Sequence, residues 1–396
     1  MSAVELAKGV YWVGVDDLET RLFEGIWSIP GGISYNSYLI IGEEAALIDC
    51  VSSRYSSMLL DSIREVTDPA DIRYVIVNHA EPDHTGALPA VLSEAKEAKV
   101  VATRAAIFML RSLYEVGAEL VEAKDGMQLG VGGRLLKFIR VPWLHWPDTM
   151  VTYLTDEKVL FSCDAFGAYG ALRGRIYASE HALGELEAEA KRYYANIVAK
   201  YGRHVQSALS KLKGLEVKLL APSHGPVYRS PERVIKLYDK WSRGELEYSA
   251  LVYYGSMYGS TRRVAEEIAS HLREAGLKVY VHNASTSDFS IALRDALCTP
   301  ALIVGSPTYE GDMMPQVKAF LDLLQLKGIK PMVAGVFGSY GWAGGAVKHL
   351  IETLREMGAE VVEPHVGFKG APSKEDYIKA RQMAEAIVKA VASVRS

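Results

Sequence analysis

Two kinds of hydrophobic pattern divide this chain. From residue 10 to about 248, short apolar runs of strand length are separated by turn residues. ISYNSYLII and AALIDC flank Gly42-Glu43-Glu44 as the arms of a hairpin would, and VVAT, RLLKFIRV, MVTYL and KVLFSC continue the series. Helical stretches interrupt it at residues 52–66 and over a long span from about 185 to 213. Strand runs followed by helical cover predict an α/β fold of the αββα sandwich type, two sheets face to face with helices outside. After residue 248 the period changes. SALVYYG, KVYVHN, ALIVGS, MVAGVFGS and EVVEPH alternate with helical stretches that begin near Thr261, Ile291, Pro315, Ala343 and Lys374, which predicts a doubly wound parallel sheet. The seam falls near Glu247, in the Gly-containing, charged stretch WSRGELEYSA, giving domains 1–247 and 248–396.

Composition agrees with two cores. A chain of 396 residues is too long for one, and 49% apolar with 23% charged residues is the balance of a globular protein. The net charge of -4, with no Lys/Arg cluster, leaves no electrostatic footprint for nucleic acid. No run approaches the roughly 18 apolar residues of a membrane span, and MSAVELAKGVYWVG lacks the basic-then-apolar pattern of a signal peptide. Cys50, Cys163 and Cys298 lie far apart in apolar contexts, which argues for small buried hydrophobes in a reducing cytoplasm.

The candidate chemistry gathers first in RYVIVNHAEPDHTGALPAVL. Tyr74 to Val77 form a β-branched strand, and the turn that follows carries His79, Glu81, Asp83 and His84, with Pro82 stiffening it. No helix face could converge four such side chains, whereas a turn after a buried strand can. Two imidazoles and two carboxylates suit first-row transition ions. Three single residues share that position. His145 in VPWLHWPDTM, Asp164 after KVLFSC and His224 after VKLLA each follow an apolar strand, so all can meet at one edge of the sandwich. The sum is enough ligands for two metals with a shared bridge.

The order H-x-E-x-D-H, His145, Asp164, His224 resembles the metallo-β-lactamase fold as it occurs in flavodiiron proteins, and LHWPDTM and DAFGAYG are similar to that family's text as well. Hydrolytic zinc members of the superfamily typically carry H-x-H-x-D-H. Glu81 therefore discriminates, because a carboxylate in place of an imidazole makes the site harder and favours iron. The resemblance implies that His79, Glu81 and His145 hold one iron, that Asp83, His84 and His224 hold the other, and that Asp164 bridges them. It also implies a tyrosine near the open face of the pair, either Tyr193 or Tyr194 of RYYAN, and sets Glu24 of RLFEG where some relatives carry a pocket histidine.

The second half offers a ligand site of another kind. The first strand-to-helix connection, Ser256-Met257-Tyr258-Gly259-Ser260-Thr261, is small and hydroxylated, so backbone N–H groups and hydroxyls can surround one phosphate at a helix N-terminus. It has neither the Lys of a triphosphate loop nor G-x-G-x-x-G. Two later loops at the same sheet edge, Pro307-Thr308-Tyr309-Glu310-Gly311 and Ser339-Tyr340-Gly341-Trp342-Ala343-Gly344, set aromatic residues among glycines where a flat ring could lie. The order of loops, and GSPTYEGDMMP, resemble flavodoxin, which implies FMN.

Both resemblances together cover nearly the whole chain in the order of a minimal flavodiiron protein. They imply that FMN passes electrons to a diiron centre that reduces dioxygen to water or nitric oxide to nitrous oxide. With no rubredoxin-like C-x-x-C pair after the flavodoxin half, the electrons are expected from an external donor such as rubredoxin or a reduced deazaflavin coenzyme. A short hinge near Glu247 gives each half little freedom to fold back on the other. A head-to-tail homodimer, or a tetramer of two such dimers, is therefore expected to bring the flavin of one chain to the iron pair of the other. Two other classes compete: a metallo-hydrolase with a regulatory flavodoxin half, against which Glu81 weighs, and an electron carrier with an inert first half, against which the full ligand set weighs.

Overall fold

The computed structural model describes residues 2–394, which divide into two compact units with the boundary between Arg243 and Gly244. The division lies just ahead of Glu247, where the helix Glu232–Arg243 gives way to Gly244 in a left-handed conformation (φ +67°).

The first unit is built on two sheets. One has seven strands in the spatial order Val4–Ala7, Val10–Trp12, Tyr38–Ile41, Ala45–Ile48, Ile72–Val77, Lys99–Ala102 and Leu120–Glu122. The other has five, Gln128–Val131, Arg134–Arg140, Met150–Leu154, Val159–Cys163 and Leu219–Pro222. Trp12, Tyr38, Ile40 and Ile76 of the first meet Leu136, Phe138, Met150 and Phe161 of the second in one buried cluster, which fixes the sheets face to face. Each such side chain contributes about 1.5–3 kcal/mol by leaving water. Alternation shows where a strand has one wet face: in Arg134–Arg140, Leu136 and Phe138 are buried while Leu135 is exposed. Met150–Leu154 and Val159–Cys163 are buried throughout, so their outer faces are covered as well.

Strand direction sets the functional edge. Ile72–Val77 runs parallel to both of its neighbours, and Val159–Cys163 runs parallel to Leu219–Pro222. Arg134–Arg140 is antiparallel to Met150–Leu154, itself antiparallel to Val159–Cys163, so Arg134–Arg140 and Val159–Cys163 point the same way. The segments holding His145, Asp164 and His224 therefore leave the five-stranded sheet at one edge.

Two elements depart from the sequence expectation. ISYNSYLII is not one strand: Ile33–Tyr35 pairs with Val15–Asp17, and only Tyr38–Ile41 forms the hairpin with Ala45–Ile48. The chain breaks at Asn36, whose backbone N–H donates to the Ser223 carbonyl (2.8 Å) and whose amide donates to the carbonyls of Pro222 and Gly225 (both 2.8 Å). Bonds to the far sheet replace ladder bonds, and they tie this segment to the turn that carries His224. The long helix expected over residues 185–213 is also interrupted. Leu183–Tyr193 passes into a π-helical turn, Tyr194–Val198, before Gly202–Leu212 resumes. Such a wide turn alters which residues share a face, here directly beside Tyr193.

The second unit is a parallel sheet in the spatial order Lys278–Asn283, Ser249–Tyr254, Ala301–Pro307, Val333–Tyr340 and Glu360–Val361, with Val366–Lys369 also pairing to Val333–Tyr340. EVVEPH thus yields only a short strand, because Pro364 has no N–H for the ladder and the chain re-enters the sheet after it. Strand order reverses between Ser249–Tyr254 and Ala301–Pro307, the place where open α/β sheets bind ligands. No helix among the described residues is long and apolar enough to cross a membrane.

Candidate metal centre and cofactor cleft

The turn after Ile72–Val77 closes into one short helical turn, Pro82–Thr85, with Pro82 at its start. Asp83 and His84 lie in that turn while His79 and Glu81 precede it, and the two pairs serve two sets of ligand atoms. In the first set, Glu81 Oε2 lies 3.1 Å from His79 Nε2 and 3.2 Å from His145 Nε2, and Asp164 Oδ2 lies 3.4 Å from His145 Nε2. In the second, Asp83 Oδ2 lies 3.2 Å from His224 Nε2 and Asp83 Oδ1 lies 3.4 Å from His84 Nε2. Asp164 Oδ1 completes it, 3.2 Å from His84 Nε2 and 3.3 Å from His224 Nε2. One carboxylate thus gives an oxygen to each set. The donor atoms of His79, Glu81, His145 and Asp164 all lie within 4.8 Å of one another, and so do those of Asp83, His84 and His224.

These contacts are not a finished hydrogen-bond network. Both oxygens of Asp83, Nε2 of His84 and Nε2 of His224 are buried without a hydrogen-bond partner. Buried polar atoms that approach this closely yet bond to nothing are arranged around a point rather than toward one another, which is the geometry of ligands around a cation. Charge supports the fit. Burial pushes the Asp164 carboxyl up, but the imidazoles of His84, His145 and His224 more than reverse this and hold it well below the usual range. Burial likewise opposes ionisation of Glu81, yet His145 and His79 bring it down to about 2. The imidazoles shift the other way. Against the effect of burial, Asp164 and Glu81 raise His145 to about 9, and Asp164 and Asp83 raise His224 to about 10. Metal-free, the site is a cluster of carboxylates whose histidines hold protons that a metal ion would displace.

Neighbours hold the ligands in place. His79 Nδ1 lies 3.1 and 3.0 Å from the two oxygens of Asp148, which also accepts the N–H of Ala80 (2.7 Å). His224 Nδ1–H donates to the Ser34 carbonyl (2.8 Å). The Tyr193 hydroxyl donates to Asp164 Oδ1 (2.9 Å), and Gly167 leaves room for it, since a Cβ there would meet the Tyr193 ring at 3.0 Å. Asp148 sits within LHWPDTM, and its place just before a strand on the ligand edge was the available signal for it. Cys163, read from sequence as a small buried hydrophobe, is a neighbour too: its Sγ is 4.0 Å from Asp164 Oδ2, and burial keeps the thiol protonated.

Two of the pocket residues expected from sequence point elsewhere. The Tyr194 ring packs against Tyr238 (5.0 Å) and Trp241 (5.3 Å). Glu24 is exposed and accepts the indole N–H of Trp27 (3.0 Å). Phe23 is the residue of that loop that faces the ligands, its ring 5.2 Å from His224. Tyr35 flanks the same imidazole at 5.8 Å.

In the second unit the three loops line one cleft of about 620 Å³. Ser256, Met257, Tyr258, Ser260, Thr261, Pro307, Thr308, Tyr309, Glu310, Gly311, Ser339, Tyr340, Gly341 and Trp342 all contribute, together with Ala343 of the third loop and Gly370, which lies outside the loops read from sequence. Gly344 instead lines a neighbouring depression of about 450 Å³. Gly259 (φ +91°) is the N-cap of the helix Ser260–Glu274 and has no side chain of its own to cap it; the Ser256 hydroxyl accepts the first-turn N–H of Arg262 at 3.4 Å, and a helix N-terminus beside the cleft is where an anion would sit. The Ser256 hydroxyl accepts the Gly259 N–H (3.1 Å) and shapes this turn. Two loops meet closely at Gly345, where a Cβ would come within 1.9 Å of the Gly311 carbonyl, and Thr308 accepts the N–H groups of Gly345 and Ala346 (3.2 and 3.3 Å). Tyr258 and Trp342 remain 94% and 92% exposed. Large rings left in water at the rim of a cleft with an anion-binding end fit a planar phosphate-bearing cofactor.

Known proteins share both units. The family profile described as ODP family beta lactamase matches residues 33–225, and the flavodoxin profile matches residues 252–385. A nitric oxide reductase of Moorella thermoacetica is 34% identical over 397 aligned positions, covering 98% of this chain and 99% of the relative. Among solved structures, the flavodiiron protein of Giardia intestinalis superposes with a TM-score of 0.96 at 32% identity, over 99% of this chain and 97% of that one. The rubredoxin oxygen:oxidoreductase of Desulfovibrio gigas gives 0.95 at 30% identity, over 99% of both chains. Likeness that runs unbroken through both units, at identities of this size, makes the chain a member of the flavodiiron proteins, oxidoreductases that join a diiron centre on a lactamase-like fold to FMN on a flavodoxin-like one.

Proposed function

We propose that this chain reduces dioxygen, nitric oxide or both, using electrons relayed through FMN from an external donor. The observation that carries the reading is Asp164, whose two oxygens each face a separate set of ligand atoms. His79, Glu81 and His145 would hold one iron, Asp83, His84 and His224 the other, with Asp164 shared. When bound, the iron pair supplies the redox chemistry at the gas and FMN supplies single or paired electrons to it. The protein's part is placement. Asp148 and the Ser34 carbonyl orient two of the ligand imidazoles, and the Tyr193 hydroxyl holds a proton 2.9 Å from Asp164. Phe23 and Tyr35 exclude water on the His224 side, while Glu81 and Asp83, at 17% side-chain exposure, stand nearest to solvent. The names of the relatives support both gases as substrates, and that of the Desulfovibrio gigas protein supports a rubredoxin as donor. A reduced deazaflavin coenzyme is the other donor class considered.

Anaerobic addition of ferrous iron to metal-free protein should load about two ions per chain and release protons, since the imidazoles raised to about 9 and 10 must deprotonate to bind. Affinity should accordingly rise with pH from 6 toward about 9. At about 100 times its dissociation constant, iron should stabilise the fold by roughly 2.7 kcal/mol, and Asp164→Ala should abolish the shift because a shared oxygen donor is lost to both positions. Zinc as the sole metal in natively expressed, active protein would refute the iron assignment.

Trp342→Ala should weaken FMN binding by about 1–3 kcal/mol, measured by fluorescence titration of flavin-free protein, if the exposed ring stacks on the flavin. Unchanged affinity would remove Trp342 from the site.

The working unit is proposed to be a head-to-tail homodimer, with a tetramer of two such pairs as the larger form. Mixing an iron-site variant, His79→Ala, with a flavin-site variant altered at Ser256 and Thr261 should restore gas reduction once subunits exchange, because a mixed dimer holds one intact flavin opposite one intact iron pair. Confirmed exchange with no recovered activity would exclude transfer between chains.

A further inference from the structure

The two ligand sets differ in what stands behind them. His79 and His224 each turn Nε2 toward the ligand cluster and use Nδ1 for support. Behind His79 is a carboxylate: both oxygens of Asp148 lie within 3.1 Å of Nδ1, and the Asp148 side chain is fully buried. Behind His224 is a neutral backbone acceptor, the Ser34 carbonyl at 2.8 Å. Asp148 is also held rigidly, by the Ala80 N–H on Oδ2 (2.7 Å) and by the Thr103 hydroxyl, which donates to its backbone carbonyl (2.7 Å). A carboxylate that accepts the far N–H of a ligand histidine fixes its tautomer and makes the ligating nitrogen a stronger donor than a carbonyl does. Glu81 and Asp83 give each set one carboxylate of its own, and Asp164 gives each one oxygen; a further buried carboxylate, Asp49, is held by Asn78 (2.7 and 2.9 Å) and acts on both His84 and His79 through space, so among the described residues Asp148 is the carboxylate that bonds a ligand imidazole from behind, and it does so in one set.

We propose that Asp148 is a positioning residue that makes the two metal positions unequal, so that the position of His79, Glu81 and His145 binds iron first and more tightly than that of Asp83, His84 and His224. The inference rests on the diiron reading above. Asp148→Asn removes the charge and one acceptor: an amide oxygen in the place of Oδ2 can still accept from both Ala80 N–H (2.7 Å) and His79 Nδ1–H (3.0 Å), while the amide NH2 would stand where Oδ1 lies 3.1 Å from Nδ1.

The test is to add one equivalent of ferrous iron anaerobically to metal-free full-length protein and locate it by anomalous diffraction at the iron edge, then to repeat with saturating iron. In the unaltered protein, the first equivalent is expected at the His79 position. In Asp148→Asn, affinity there should fall about 10–100-fold while that of the His224 position stays as it was. Equal filling, or filling of the His224 position first, overturns the proposal even if the variant cannot be purified, because the unaltered protein alone decides that point. Equal loss at both positions in the variant also overturns it, since a general loss of structure would act on both. Saturation at two irons with equal filling leaves the diiron reading standing and removes only the inequality, whereas failure to bind a second iron removes the diiron reading itself.

Discussion

The first unit depends on one shared carboxylate. Asp164 leaves a fully buried strand at the edge where three other ligand-bearing segments end, and its two oxygens face different sets of imidazoles. Everything around it serves to bring two groups of donors within reach of that residue: the break at Asn36 that ties one sheet to the His224 turn, the single helical turn that holds Asp83 and His84 beyond Glu81, and the glycine that admits Tyr193. Such a cluster is costly to fold. Each buried polar atom left without a partner costs on the order of 1–3 kcal/mol; Asp83 carries two, and His84 and His224 one each. The two sheets, with Trp12, Phe138 and Phe161 between them, supply the burial that offsets this, and metal binding would remove the deficit at its source.

The second unit meets a different constraint. A flat cofactor with a charged end needs a cleft that is open along one side, so loops must approach one another without closing over it. Gly345 against Gly311 provides the approach, Gly259 provides the turn into the helix start, and the rings of Tyr258 and Trp342 are left in solvent. Aromatic side chains this exposed contribute nothing to the core beneath them; their placement makes sense only in terms of what they can stack upon.

Much of this was legible in the sequence because the chemistry sits where the hydrophobic pattern ends. A ligand that directly follows a buried strand inherits its position from that strand, so His79, His84, Asp164 and His224 could be placed by strand ends alone, and the flavin loops by their order along the alternating second half. What stayed illegible depends on the direction of a single bond. Tyr193 and Tyr194 are neighbours on one helix and differ only in which side of a π-helical turn they occupy, and no periodicity marks that turn in advance. Phe23 and Glu24 are separated in the same way, by a left-handed conformation at Glu24 (φ +51°) that sends the carboxylate out to Trp27 and leaves the phenyl ring inside. Asp148 lay in plain view within LHWPDTM, but a residue that acts on a ligand through its far nitrogen has no spacing rule to announce it. ISYNSYLII read as one strand because β-branched and aromatic residues recur on both sides of the polar Ser34, Asn36 and Ser37, and only the opposite sheet explains why the chain leaves the ladder at Asn36.

The central claim is that electrons stored on the flavin reach the gas only through a metal pair that Asp164 would join. The direct measurement is to reduce the FMN-loaded protein anaerobically with reduced rubredoxin, mix it with dioxygen or with nitric oxide, and follow gas consumption and flavin reoxidation with and without iron. The account predicts rapid, sustained consumption by the iron-loaded protein, giving water or nitrous oxide with no accumulation of hydrogen peroxide, and loss of that turnover when iron is withheld. Equally fast consumption by the iron-free protein, or peroxide as the product of the iron-loaded one, would contradict it.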